Sequence, residues 1–340
     1  MKKKLLIIGG AGFIGHNIAL TLKDEYEIFI IDGLLVNNFI SLIDNRDNLP
    51  YPKFSKAVLD ERVKLFDKNG LNIIIQDARD YYGLCQKINE IKPNIIIHLA
   101  AVSHANRSNK DPYSTFDHSF RTLENALDAV RNQSQLEHFI YFSSSMVYGN
   151  FKQDFVDENS ICEPIGIYGA LKFSGEKIVI AYNQVFDIPY TIIRPSALYG
   201  ERCISRRVGQ IFIENSLLNK EIIIDGDGLE KLDFTYIHDL VSGVKSIIER
   251  KESKNQIFNI TFGEGRKIID LIEILKKYFG EIKVVKKERS KLTPKRGRLS
   301  GDKARELIGY NPTWNLEKGY NSYIKWYVDF FERNKKNIET

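Results

Sequence analysis

The chain has 340 residues, 43% hydrophobic and 27% charged. That is the composition of a folded protein with one large core and room for a smaller lobe, and it excludes a disordered chain. Its 49 Lys and Arg against 44 Asp and Glu leave a formal charge of +5, which suits an anionic small ligand but is too slight over this length to indicate nucleic acid. The three cysteines, Cys85, Cys162 and Cys203, are widely spaced and odd in number; no disulfide framework or metal site is readable, and a reducing, cytoplasmic setting fits.

Only four apolar residues, 5–8, precede Gly9, too few for a secretory leader. No stretch reaches the ~18 to 20 apolar residues of a membrane span, so a soluble protein without membrane contact is expected. Short apolar runs at residues 5–8, 27–31, 72–75, 94–98, 138–142 and 190–193 read as buried strands. Amphipathic stretches between them, at 14–22, 80–91, 113–131 and 169–185, read as helices. This alternation predicts an α/β fold, a Rossmann-type doubly wound parallel sheet with helices on both faces. Residues 34–71, with Pro50 and Pro52, are too long for a simple crossover and read as a helical insertion.

After Arg194-Pro195 the regularity breaks, and residues 196–233 read as loop-rich, with a turn at Gly226-Asp227-Gly228. A helix at 238–250, a strand at 256–261 and a helix at 268–279 follow. Residues 283–298 hold eight Lys or Arg, and an aromatic-rich segment closes the chain at 314–331. The expected division is a nucleotide-binding domain of residues 1–195 plus about 233–262, and a smaller C-terminal substrate lobe of about 196–232 plus 263–340.

The first strand runs into Gly9-Gly10-Ala11-Gly12-Phe13-Ile14-Gly15. At a strand-to-helix turn this glycine spacing lets a diphosphate approach backbone N–H groups at the helix N-terminus. The second strand ends in Asp32, about 20 residues further on, where a carboxylate accepts hydrogen bonds from ribose hydroxyls. Asp32 repels a 2′-phosphate and Gly33-Leu34-Leu35 offers no arginine, so NAD is expected rather than NADP. Tyr168 and Lys172 stand four residues apart on a predicted helix, facing the same side. A neighbouring ammonium stabilises a phenolate, as a general base near neutral pH requires. The pair follows a strand ending in Phe142-Ser143-Ser144-Ser145, at the carboxyl edge where ligands of such sheets bind.

With these motifs stand Asp77-Ala78-Arg79-Asp80, His98-Leu99-Ala100-Ala101, Val147-Tyr148-Gly149, Arg194-Pro195, Tyr199-Gly200 and the stretches 225–228 and 233–239. Over nearly its whole length the chain resembles the extended short-chain dehydrogenase/reductase superfamily, in its NAD-dependent nucleotide-sugar epimerase/dehydratase branch, which includes UDP-glucose 4-epimerase-like enzymes. The resemblance implies that Asp77 and Ala78 border the adenine, Leu99, Ala100 and Ala101 the ribose and diphosphate, and Pro195 the nicotinamide. It also implies Ser144 as the catalytic hydroxyl, Tyr168 as the base at the sugar O4, and Lys172 on the nicotinamide ribose.

Dehydratases of this branch follow the catalytic Thr with an Asp-Glu pair, whereas this chain has Ser145-Met146, which cannot supply the proton transfers of elimination. An epimerase acting through a transient 4-keto sugar is the expected member. A C4 dehydrogenase or 4-ketoreductase uses the same trio, and a non-catalytic NAD-binding regulator is the reading from another class. Relatives often carry Arg before the Asp-Phe element, but here it reads Lys231-Leu232-Asp233-Phe234. Arg207 and Arg296 are the candidate diphosphate ligands, since guanidinium forks match phosphate oxygens. His104 is a candidate sugar contact, and His118 stands where relatives have a supporting Asn. The basic run 283–298 has no accompanying nucleic-acid motif. The resemblance further implies a homodimer formed through the helices near 113–131 and 169–185.

Overall fold

The computed structural model describes residues 2–43 and 50–335. Seven strands form one parallel sheet: β1 (Lys4–Ile8), β2 (Glu27–Asp32), β3 (Ile73–Ile75), β4 (Ile95–His98), β5 (His138–Phe142), β6 (Tyr190–Arg194) and β7 (Gln256–Asn259). Their order is β3-β2-β1-β4-β5-β6-β7, every neighbour parallel. The chain winds outward from β1 in both directions, so a crevice opens at the carboxyl ends of β1 and β4, where the direction reverses. The register aligns those ends, pairing Ile8 with both Ile31 and His98.

Each strand is a continuous apolar run because both faces of the sheet are covered. Leu5 and Ile7 face one apolar layer while Leu6 and Ile8 face the other, as the two-residue period of a strand dictates. The longer helices are α1 (Phe13–Leu22), α2 (Pro52–Lys68), α3 (Tyr81–Ile91), α4 (Thr122–Val130), α5 (Gly166–Phe186), α6 (Val208–Leu217), α7 (Ile237–Glu249), α8 (Ile268–Phe279) and α9 (Leu316–Asn334). Helices α3, α4 and α5 cover one face, and α1, α2 and α7 contribute to the larger layer on the other. Caps mark the boundaries: Asp80 accepts from Gly83 N (3.1 Å) at the start of α3, and Asn315 from Lys318 N (2.9 Å) at the start of α9.

The insertion at 34–71 contains Phe39–Ile43 and α2, which starts with Pro52 in its first turn; its residues 44–49 lie outside the described residues, as do residues 336–340 of the expected substrate lobe. Phe54 of α2 meets Phe330 of α9 edge to face, with ring centroids 5.2 Å apart. Two expectations need correction. The helix expected at 113–131 is Pro112–Phe116, a π-helical turn Asp117–Arg121, and α4; its unbroken apolar period conceals the extra residue of the turn. The stretch 196–233 is far more ordered than loop-rich. It contains α6 and the strands Leu198–Tyr199, Ile222–Asp225 and Lys231–Asp233. Those strands are two to four residues long and pair with distant partners, Ile222–Asp225 with Val284–Lys287 inside the basic run, so no local period announces them.

Candidate active site

The glycine loop is shaped by close approaches. Gly9 has a φ of +82° and a Cβ there would lie 2.7 Å from Ala100 N, while one on Gly15 would lie 2.5 Å from Gly10 Cα. Side chains at either position would push β4's following loop or α1 away. Gly12 caps α1 without a side-chain hydrogen bond, leaving the first amides of the helix facing the crevice with their partial positive charge. Asp32 Oδ2 accepts from Ala11 N (3.0 Å) and Oδ1 from Leu34 N (2.7 Å). Burial raises its pKa and these two N–H groups oppose the rise.

One cleft is lined by Gly9, Gly12, Phe13, Ile14 and Gly15 of the loop, by Asp32, Asp77 and Ala78 beyond β2 and β3, and by Leu99, Ala100 and Ala101 after β4. Burial raises the Asp77 carboxyl, but the Arg79 fork on it, at 3.0 and 2.7 Å, brings the net pKa below the ordinary value. An open glycine cradle, uncapped helix amides and a carboxylate at the second strand's end fit a dinucleotide. The cleft wall also includes Asn37, Arg62, Gln76 and His118. Of these only His118 had a signal in the sequence. It sits on the π-helical turn, and burial, aided by Arg79, pushes its pKa down to about 4.

The second cleft brings together Ser144, Tyr168, Lys172, Pro195, His104, Arg207 and Arg296. It joins the first through shared walls at Ile14, Leu99, Ala101 and Arg207. β5 delivers Ser144, whose Oγ accepts from Met146 N (3.2 Å), and Ser145 N donates to Pro195 O (2.9 Å), tying the serine turn to the end of β6. Tyr168 and Lys172 occupy the opening turns of α5. Tyr168 is half-buried, and Lys172 is buried with Nζ donating to Phe142 O (2.7 Å) and lying 5.1 Å from the Tyr141 ring. Burial pulls Lys172 down to about 8, with Glu176, one turn further on, opposing.

Beneath this trio lies a buried ion pair, Arg194 Nη2 to Glu176 Oε2 at 2.6 Å, with Ser143 Oγ donating to Glu176 Oε1 (2.5 Å). Arg207 Nη2 donates to Ser103 O (3.0 Å). Arg296 Nε is buried with no hydrogen-bond partner among the described residues. Burial pushes its pKa down to about 10, Glu230 opposes, and Arg207 and Arg289 add to the lowering. Glu230 is itself already held by Arg289 at 3.0 Å. His104 stands at the start of the short helix Ala105–Lys110, in what read as a loop. Lys231 is exposed and does not line this cleft, and Leu232 in the next position carries no charge. Among the described residues no helix is long and apolar enough to cross a membrane, and no cluster of His, Cys, Asp or Glu could hold a metal.

The NAD dependent epimerase/dehydratase family matches residues 5–261. An uncharacterized UDP-glucose epimerase of Bacillus subtilis is 29% identical over 97% of this chain and 99% of its own length. UDP-glucuronate 4-epimerase 3 of Arabidopsis thaliana is 26% identical over 98% of this chain and 78% of its own. Among solved structures, UDP-glucuronic acid 4-epimerase from Bacillus cereus, in complex with UDP-glucuronic acid and NAD, superposes with a TM-score of 0.83 at 26% identity, covering 96% of this chain and 99% of that one. From its glycine loop to the end of its central sheet, this chain belongs to the NAD dependent epimerase/dehydratase family.

Proposed function

We propose that the protein is an NAD-dependent epimerase that inverts C4 of a nucleotide-diphosphate sugar through a transient 4-keto sugar. The observation that carries this reading is the joining of the two clefts, which sets the Ser144, Tyr168 and Lys172 trio directly beside the dinucleotide cradle. Bound NAD supplies a hydride acceptor and donor at the sugar C4. Ser144 hydrogen-bonds the O4 hydroxyl. Tyr168 takes the O4 proton and returns it after the keto sugar has turned its other face to the cofactor. Lys172, its charge held close under β5, stabilises the phenolate. Ser145 and Met146 line the sugar cleft without a carboxyl group, so elimination of water has no acid or base there. Asp32 favours NAD over its 2′-phosphorylated form.

The residue roles follow the expected assignment: Gly9, Gly12, Phe13, Ile14, Gly15, Asp32, Asp77, Ala78, Leu99, Ala100, Ala101 and Pro195 on the cofactor, and His104, Arg207 and Arg296 on the nucleotide sugar. The unpartnered Arg296 Nε, with Arg207 lining the same cleft, supports a diphosphate at that end. UDP is the nucleotide carried by the similar proteins and is the first to try. The division into a domain of 1–195 plus about 233–262 and a lobe of the remainder, a cytoplasmic setting without a nucleic-acid partner, and a homodimer belong to the same reading. The dimer is supported by the exposed Tyr113 and Phe116, and Val185 and Phe186 of α5.

Purified protein given UDP-glucose, UDP-N-acetylglucosamine and UDP-glucuronate should interconvert one of them with its C4 epimer, read by NMR, without net formation of NADH. Tyr168→Phe should abolish the interconversion and still bind NAD. Stoichiometric NADH with a stable keto product would replace the epimerase by a dehydrogenase, and turnover by Tyr168→Phe would overturn the mechanism.

A further inference from the structure

Helix α2 lies in the insertion and shows its buried face through Val58, Leu59, Arg62 and Phe66, the spacing of one helical stripe. A guanidinium in the middle of an apolar stripe is costly unless something pairs with it. Arg62 is 2% exposed. Its Nη1 donates to Ala11 O (3.3 Å), its Nε to Arg202 O (3.0 Å), and its Nη2 to the same Arg202 oxygen. Both acceptors are neutral carbonyls.

No Asp or Glu of the described residues forms an ion pair with Arg62. Asp32 is close enough to favour its charge, but both Asp32 oxygens already accept backbone N–H groups of Ala11 and Leu34. Arg202 acts against that charge, although its own guanidinium is paired with Glu61 at 2.9 Å. Burial accordingly pushes Arg62 down to about 10. The side chain forms part of the wall of the dinucleotide cleft, beside the glycine loop whose carbonyl it holds. A buried cation with no carboxylate in hydrogen-bond contact, at the edge of a cradle built for phosphate, can take its paired anion from a ligand.

We propose that Arg62 is the counter-charge for the diphosphate of the bound dinucleotide, reaching the glycine loop from the insertion rather than from the nucleotide-binding motif itself. This rests on the cofactor reading given above. The charge-assisted contact complements the helix dipole of α1, and the same side chain, through Arg202 O, ties the cradle to the segment leading to Arg207. The competing role is that of a brace, in which Arg62 only holds two carbonyls in place.

The two roles separate by ligand. Affinities of NAD, ADP and adenosine are measured by calorimetry or competition on the wild type, Arg62→Met, Arg62→Gln and Arg62→Lys, with circular dichroism as a check on folding. Arg62→Met and Arg62→Gln should bind ADP and NAD about 10- to 100-fold more weakly, the range of a charge-assisted hydrogen bond. Adenosine affinity should stay within about threefold, and Arg62→Lys should recover part of the ADP affinity because it keeps the charge. Equal weakening of ADP and adenosine would make Arg62 a brace, and unchanged ADP affinity in a folded variant would remove it from the phosphate site. A wild-type protein that binds neither NAD nor ADP would overturn the cofactor reading and this inference together, whereas a failure of the inference alone appears only in the variants.

Discussion

Replacing Glu176 by leucine removes the partner of a nearly inaccessible cation. The side chains of Glu176 and Arg194 are 1% and 3% exposed, and their contact is bidentate, with Arg194 Nε at 2.9 Å and Nη2 at 2.6 Å. Removing one member of such a pair leaves the other buried and uncompensated, at a cost of about 3 to 5 kcal/mol. Ser143, which donates to the same carboxylate at 2.5 Å, loses its acceptor and adds about 1 kcal/mol. For a chain of this length, a loss of about 4 kcal/mol lowers Tm by roughly 6 °C. Replacing both residues, Glu176→Leu with Arg194→Met, removes both desolvation penalties, so the double variant should be more stable than Glu176→Leu alone by about 2 kcal/mol or more. Urea and thermal melts of the four proteins, in the absence of NAD because ligand binding adds its own stabilisation, complete the cycle. Simple additivity of the two single substitutions would refute the view that this pair is a coupled, charged unit. Because Ser143 adjoins Ser144 and Arg194 adjoins Pro195, the single variants should also turn over more slowly than their stability loss accounts for.

Two other outcomes can be checked directly. Lys172, pulled down to about 8 by burial, lies below its ordinary value near 10.4; it is cationic below about pH 8 and neutral above, so kcat/KM should decline on the alkaline side with a midpoint near pH 8 as the phenolate loses its support. A profile flat to pH 10 would remove Lys172 from that role. Val185→Glu, on the exposed end of α5, should convert a dimer in light scattering to a monomer of unchanged fold; a wild-type monomer would remove the dimer from the reading.

The sequence made legible what depends on neighbours along the chain. The glycines between Gly9 and Gly15 are demanded by one turn, Asp32 by the strand that ends there, and Tyr168 with Lys172 by a single helical turn. Their convergence follows from strand order, which a parallel alternation implies. What stayed hidden depends on contacts between segments far apart. Arg62 reaches the glycine loop across 51 residues and Arg202 across 140, and nothing in the local pattern of α2 marks it as different from any arginine near an apolar stripe. The short strands at 222–225 and 284–287 exist only by pairing with each other. The π-helical turn that carries His118 leaves the apolar spacing on either side intact, so only backbone geometry exposes it.

The position of β7 has a bearing on synthesis as well as on the site. β6 ends at Arg194 and its outer neighbour begins at Gln256, so the outer edge of β6 stays unpaired while about 60 residues are made. At ~5 to 20 residues per second this lasts roughly 3 to 12 seconds. During that interval the emerging chain presents a row of free peptide groups beside Ile192 and Ile193, a template for pairing with another nascent copy. The late strand therefore covers β6 and leaves in its place a shorter open edge, the four residues of β7.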